Sequence, residues 1–186
     1  MEQGAVFPLF YLPPIAYFNK IIQHRQDIIF ECHEHFPKQT FRNRAAIHSP
    51  NGKLDLIVPV AKGSKQHTSM KDVKISYDFD WQRLHWQTLQ TSYRRSAYFE
   101  YYEDHFLTFY NKKWNFLLDY NEQIFSLLLQ LLKLNIPYRF TDAYEKTYTN
   151  LEDYRSSIHP KQESNFAYKP YFQLFEDRNG FLSNLS

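Results

Sequence analysis

Hydrophobic and polar positions along this chain change period several times, and each change predicts an element. Ala5 to Phe10 is a continuous apolar run of strand length, closed by Pro13-Pro14. Pro14 is placed to occupy the first turn of a helix running through Gln23. Asp27 to Cys32 reads as a second strand, and strand, short helix and strand in this order predict a crossover with parallel pairing. Two runs of strand character then flank Asn51-Gly52, a dipeptide whose turn positions need positive φ, so Phe41 to Val60 reads as a β-hairpin. Extended alternation through the first run puts Thr40, Arg42 and Arg44 on one face and Phe41, Asn43 and Ala45 on the other. A weaker strand near Val73 to Tyr77 follows.

From Asp80 onward the period lengthens to that of a helix. Asp80 is positioned as the N-cap of a helix from Trp81 to about Tyr93, with Trp81, Leu84, His85, Thr88 and Leu89 as its inward stripe. Ser96 is positioned to cap a second helix carrying Phe99, Tyr102, Phe106 and Phe109. A third runs from about Lys113 to Leu134, its stripe of Trp114, Leu117, Leu118, Phe125, Leu128 and Leu132 broken by Asn121. Short strands near Tyr138 to Thr141 and Tyr171 to Phe175 complete the pattern. Thr149 to Lys169 is mostly polar and reads as an excursion over the surface. The fold class is therefore mixed α/β: one domain over residues 1–186, with a mixed central sheet, an antiparallel hairpin and a block of about three helices packed on the sheet.

Composition narrows the function by exclusion. The 186 residues hold 22 Lys plus Arg against 20 Asp plus Glu, a net charge of +2, which supplies no general field for nucleic acid. No apolar run is long enough to span a bilayer, and the proline-broken N-terminal stretch lacks the basic lead-in of a signal peptide. With Cys32 as the lone cysteine, the expected setting is the reducing cytoplasm. Only 4 residues are Gly, and neither phosphate-cradling glycine motif occurs. Aromatic residues make up 19% of the chain, with 15 Tyr and 17 Phe, side chains suited to a half-wet cleft.

Six places carry candidate chemistry. Glu31, His33 and His35 alternate onto one strand face, a residue set used by zinc and iron sites. Period-2 spacing on one strand is a poor metal signature, however, so the stretch reads as a hydrogen-bonded strand end and no metal is expected. Cys32 reads as a buried structural thiol rather than a nucleophile. His85 interrupts an apolar helical stripe and is either a satisfied core histidine or a general base. Asn121, facing a core, is expected to bond main-chain groups. Asn43-Arg44 pairs an amide with a guanidinium fork suited to carboxylate or phosphate, the alternative being a sheet-edge Arg paired with an acid. Arg94-Arg95 lies at a helix end, where cations offset the C-terminal dipole.

Several segments in order, Tyr11-Leu12-Pro13-Pro14-Ile15-Ala16-Tyr17-Phe18, Lys38-Gln39-Thr40-Phe41-Arg42-Asn43-Arg44, Leu56-Ile57-Val58-Pro59-Val60, Trp81-Gln82-Arg83-Leu84-His85-Trp86, Tyr93 to Tyr102 and Gly180 to Ser186, resemble the WbqC-like proteins of bacteria. The resemblance implies an association with surface-polysaccharide or related biosynthetic gene sets and a small-molecule or sugar substrate, without implying a particular reaction or cofactor. Such proteins tend to place an aspartate-rich segment after the second strand, where this chain has Glu31-Cys32-His33-Glu34. They also continue beyond Asn184-Leu185-Ser186, so a C-terminal tail is expected to be missing here. The first functional expectation is a tailoring transferase of acyl, aminoacyl or glycosyl groups. His85 would be its base, Asn43, Arg44, Lys38 and Arg94 would hold an anionic donor, and Tyr93 or Tyr98 would orient the acceptor. The second is a non-catalytic module binding a saccharide or nucleotide sugar on aromatic faces; the third is a scaffold in a biosynthetic complex.

Overall fold

Four short strands that all run the same way form the main sheet of the computed structural model, which describes residues 3–61, 67–161, 169, 171–183, 185 and 186. The strands are β1 (Ala5–Pro8), β2 (Ile28–Glu31), β5 (Tyr138–Phe140) and β6 (Glu152–Asp153), in the order β5-β2-β1-β6. Every residue of β1 and β2 is buried, as expected of strands covered on both faces. Helix α1 (Ile15–Gln23) connects the two, so the predicted parallel pairing is present.

Register places Phe7, Phe30 and Phe140 opposite one another, so their rings share one face of the sheet. Phe125 of α4 (Leu117–Leu131) meets Phe30 edge-on with ring centres 5.2 Å apart, and Tyr17 and Phe18 of α1 close around the same Phe125 ring. This aromatic layer is the centre of the core. Helices α2 (Trp81–Tyr93) and α3 (Phe99–Asn111) extend it, through Trp81 against Tyr120 and Phe109 against Trp114. Among the described residues no helix is long and apolar enough to cross a membrane.

Strands β3 (Arg44–Ser49) and β4 (Gly52–Ile57) form the expected antiparallel hairpin, paired with each other as a separate two-stranded sheet. Its turn differs in detail. Ser49 lies opposite Gly52, so Pro50 and Asn51 are the turn residues, and of the Asn-Gly pair only Gly52 has positive φ, at 99°. Pro50, with its φ locked negative, suits the second position of an ordinary turn. The strand expected before Arg44 is absent. Residues 38–43 are turns, with Gln39 in the left-handed region at φ 61°, so the predicted alternation of Thr40, Arg42 and Asn43 does not hold.

Five other features differ from expectation. The third predicted helix starts at Leu117 rather than Lys113, because the main chain of Asn115 and Leu117 bonds instead to Ile75 and Val73. It ends at Leu131 because Lys133 turns left-handed at φ 55°, and its N–H and that of Leu134 return to the Gln130 and Leu129 carbonyls. Leu84, placed in the inward stripe, is exposed, and Gln82 is buried in its stead: its amide donates to the Phe109 and Lys112 carbonyls at the end of α3. Residues 171–175 are not a strand and lead into the short α5 (Glu176–Asn179). The supposed surface excursion contains β6, held to β1 by main-chain bonds from Glu152 to Gly4 and from Tyr154 to Val6, with Tyr154 and Ile158 buried; its residues 162–168 lie outside the described residues.

Asn121, fully buried on α4, bonds main chain as predicted. Its side-chain amide donates to the carbonyls of Leu9, just past β1, and Arg42, just before β3, at 3.2 and 2.7 Å. Replacing Asn121 by Leu removes both donors and leaves two buried carbonyls unpaired. We expect a loss of about 3 kcal/mol, read as a lower urea midpoint; an unchanged midpoint would show that the amide does not tie these segments together.

Candidate functional site

Because the four strands are parallel, the segments that follow them leave the sheet on one side, the usual place for a ligand in such folds. Charged groups collect there. Glu31, the last residue of β2, is fully buried. Its Oε1 accepts the His33 N–H at 2.7 Å and the Thr141 hydroxyl at 3.0 Å, and its Oε2 accepts the Tyr148 hydroxyl at 3.3 Å and Arg155 Nη1 at 3.5 Å. Arg155 follows β6 and is also bound by Asp153, at 2.9 Å through Nε and 2.6 Å through Nη2. Its guanidinium lies 4.9 Å from the centre of the Tyr148 ring and 5.5 Å from that of Tyr144.

A second ion pair adjoins the first. Arg42, almost wholly buried, donates to Glu34 Oε1 from Nε at 2.7 Å and Nη2 at 2.5 Å, and Nη2 also reaches the Arg155 carbonyl at 3.0 Å. Burial pushes the Glu34 carboxyl above its usual range against the pull of Arg42, and burial lowers Arg42. The Tyr148 hydroxyl is pushed up to about 12, by burial first and by the charge of Glu31 second. Beside this cluster lies a hollow of about 360 Å³ lined by Arg139, Thr141, Asp142, Glu145, Tyr148 and Asn150. Thr141 and Tyr148 thus border the hollow and hold Glu31 behind it. Cys32 is buried, its thiol donating to the Thr141 carbonyl at 3.4 Å. Among the described residues no three His, Cys, Asp or Glu side chains are grouped to hold a metal ion.

The residues singled out from sequence fall in three places. Asn43, Arg44 and His85 meet at the end of β4. The Asn43 amide donates to the Val58 carbonyl at 2.9 Å, Arg44 lies opposite Ile57 with Nη1 3.7 Å from Asp55, and a hydrogen bond links His85 to the Ile57 main chain. Asn43 and His85 are closed off from water. His85 Nδ1 is 3.2 Å from the Tyr11 hydroxyl, which in turn is 2.8 Å from that of Tyr110. Burial pushes its pKa down to about 4, so the imidazole is neutral at pH 7. Tyr93 and Tyr98 lie together in a second, larger cavity of about 570 Å³ between α2, α3 and α4, where the Tyr93 hydroxyl accepts the His48 N–H at 3.1 Å. Arg94 is exposed at the end of α2, and Lys38 is exposed in the turns before β3.

Sequence reasoning noticed Glu31 and Glu34 but not their partners. Arg155, Tyr148 and Thr141 come from segments more than a hundred residues away, Thr141 from the end of a short predicted strand and the other two from stretches without periodic signal. The usable clue was the parallel pairing itself, which makes the residues just past β2 the first place to look.

A sequence profile described as the WbqC-like protein family matches residues 10–170. No curated protein and no solved structure matches the chain.

The neutral, buried His85 makes stability sensitive to acid. Its folded pKa lies below the unfolded value near 6.5, so its contribution is complete above 6.5 and is lost as pH falls toward about 4. At 1.36 kcal/mol per unit the loss is on the order of 3 kcal/mol. Chemical denaturation at pH 7 and pH 4.5 should show His85→Phe losing distinctly less stability over that interval than the parent protein; equal losses would refute the assignment.

Proposed function

The chain belongs to the WbqC-like protein family, and from that membership we propose that it is a tailoring transferase in bacterial surface-polysaccharide or related biosynthesis, with its reacting centre at the carboxyl ends of the parallel strands. One observation carries this reading: two largely buried ion pairs, Glu34–Arg42 and Glu31–Arg155, lie behind a polar hollow whose lining residues Thr141 and Tyr148 bond Glu31. Burying such pairs is at best weakly stabilising, because desolvation offsets most of the Coulombic gain. Perturbed ionisable groups beside a cleft are instead a common mark of a working site.

The hollow suits a sugar-sized acceptor, offering carboxylates, an amide and hydroxyls for its polar groups and the rings of Tyr144 and Tyr148 nearby. In the proposed reaction an acceptor hydroxyl or amine attacks the donor's acyl, aminoacyl or glycosyl carbon. Glu34 takes the proton the acceptor loses, and the leaving group departs with the electrons of the broken bond. A carboxyl already pushed up by burial is a better base for this than an ordinary one. Arg42 and Arg155 hold the negative charge of the donor or of the developing intermediate. His85, Asn43 and Arg44 act behind this centre by fixing the Ile57–Val58 main chain. The lone thiol fits a cytoplasmic setting. A saccharide-binding protein without turnover is the second reading, favoured by the hollow's polar lining and by the Tyr148 ring stacked near Arg155.

The test is turnover with a panel of acyl, aminoacyl and nucleotide-sugar donors against saccharide acceptors. Glu34→Gln, nearly the same shape, should lower kcat by about 10²-fold or more with little change in KM. Full activity in that variant would remove Glu34 from the reaction, and saccharide binding without turnover by any donor would establish the second reading.

A further inference from the structure

We infer that the larger cavity, between α2, α3 and α4, is a binding site for a fatty-acyl chain with an acidic head. Its wall is built by Trp86 and Leu89 of α2, Phe99 and Phe106 of α3, and Leu128 and Leu131 of α4. The volume of about 570 Å³ lies within the range of small-molecule sites and describes a concave hollow rather than the flat area of roughly 800 Å² per partner that a stable protein interface requires. Polar groups sit at its margin: the hydroxyls of Ser96, Tyr98 and Tyr102, with Tyr98 69% exposed. Main-chain groups there are already taken, since the Ile15 N–H bonds the Leu185 carbonyl and the Ser186 N–H bonds that of Ala46. A peptide or sugar would find little inside to bond, whereas a methylene chain needs nothing but contact.

Charge decides the head. Arg94 and Arg95 stand exposed between two lining residues, Tyr93 and Ser96, and Lys133 follows the lining Leu132. None of these three cations has an ion-pair partner among the described residues. Of the acids in the first half of α3, Glu103 is occupied by the Gln90 amide, leaving Glu100 and Asp104 without a described partner against the three cations. The margin therefore carries excess positive charge beside an apolar hollow, the arrangement that fits an amphiphilic anion. This site is separate from the Glu34–Arg42 centre and does not depend on the transferase reading.

Titration calorimetry of the full chain with octanoate, decanoate and dodecanoate, each below its micelle concentration, tests the inference. Affinity should rise about fourfold for each added methylene. Exchanging both arginines by Arg94→Glu and Arg95→Glu should weaken dodecanoate while leaving dodecanol unchanged. Leu132→Trp, at a half-open position on the margin, should weaken both while leaving the melting temperature unaltered, and Glu34→Gln should bind as the parent does. Absence of binding at millimolar ligand, an affinity independent of chain length, or a dimer in sedimentation that Leu132→Glu dissociates would overturn it, the last by identifying a second copy of the chain as the occupant.

Discussion

The side-chain amide of Asn121 is the constraint on which the rest of the arrangement turns. It joins three segments that no other described side chain joins at one point: α4, which covers the aromatic face of the sheet, the chain leaving β1 at Leu9, and the chain approaching β3 at Arg42. A main-chain bond from Tyr11 to Phe41 runs alongside and makes the same junction tighter. With the Arg42 carbonyl captured on one side, its guanidinium is directed toward Glu34 and the carboxyl ends of the strands. The geometry of the charged centre is thereby inherited from a core contact, and the amide's role is structural even though its effect extends to the site.

The chain divides its chemistry between two regions. The carboxyl side of the sheet concentrates carboxylates, guanidiniums and tyrosine hydroxyls in partly dry surroundings, where their mutual attraction is strong and their protonation displaced from ordinary values. The crevice among the three long helices, closed on its other side by Ile15 and Phe18 of α1, is apolar and bounded by rings that pack on the margin of the core. Tyrosine links the two kinds of place. Tyr11, Tyr110 and Tyr120 are buried as structural rings with hydroxyls held neutral by burial, Tyr148 buttresses a buried carboxylate, and Tyr98 stands in water at a cavity margin.

What could be seen in advance follows from whether side chains or main chain decide an element. Helix α2 is delimited at Trp81 and Tyr93 by its periodicity, and the apolar runs of β1 and β2 announce a covered parallel pair, because in each case packing of side chains defines the element. Strand β6 is only two residues in a polar stretch, held by main-chain bonds, and no side-chain pattern foretells it. The segment before β3 misleads in the opposite sense. Its composition is that of a strand, but Gln39 enters the left-handed region and the alternation used to place Asn43 and Arg44 fails. The charged centre was half visible for the same reason: Glu31 and Glu34 stand in a conspicuous cluster, while Arg155 is 124 residues away from Glu31 and arrives there only through β6.

The brevity of the outer strands has a consequence of its own. β5 is three residues long and β6 two, so each flank of the parallel sheet presents very little unpaired backbone, and both carry charge, Arg139 on one and Glu152 and Asp153 on the other. A long, flat, apolar flank would template edge-to-edge stacking of neighbouring molecules into cross-β assemblies. Here the sheet stops before it can recruit another, so a chain this rich in phenylalanine and tyrosine is guarded against fibril growth at its margins by the shortness of its own strands.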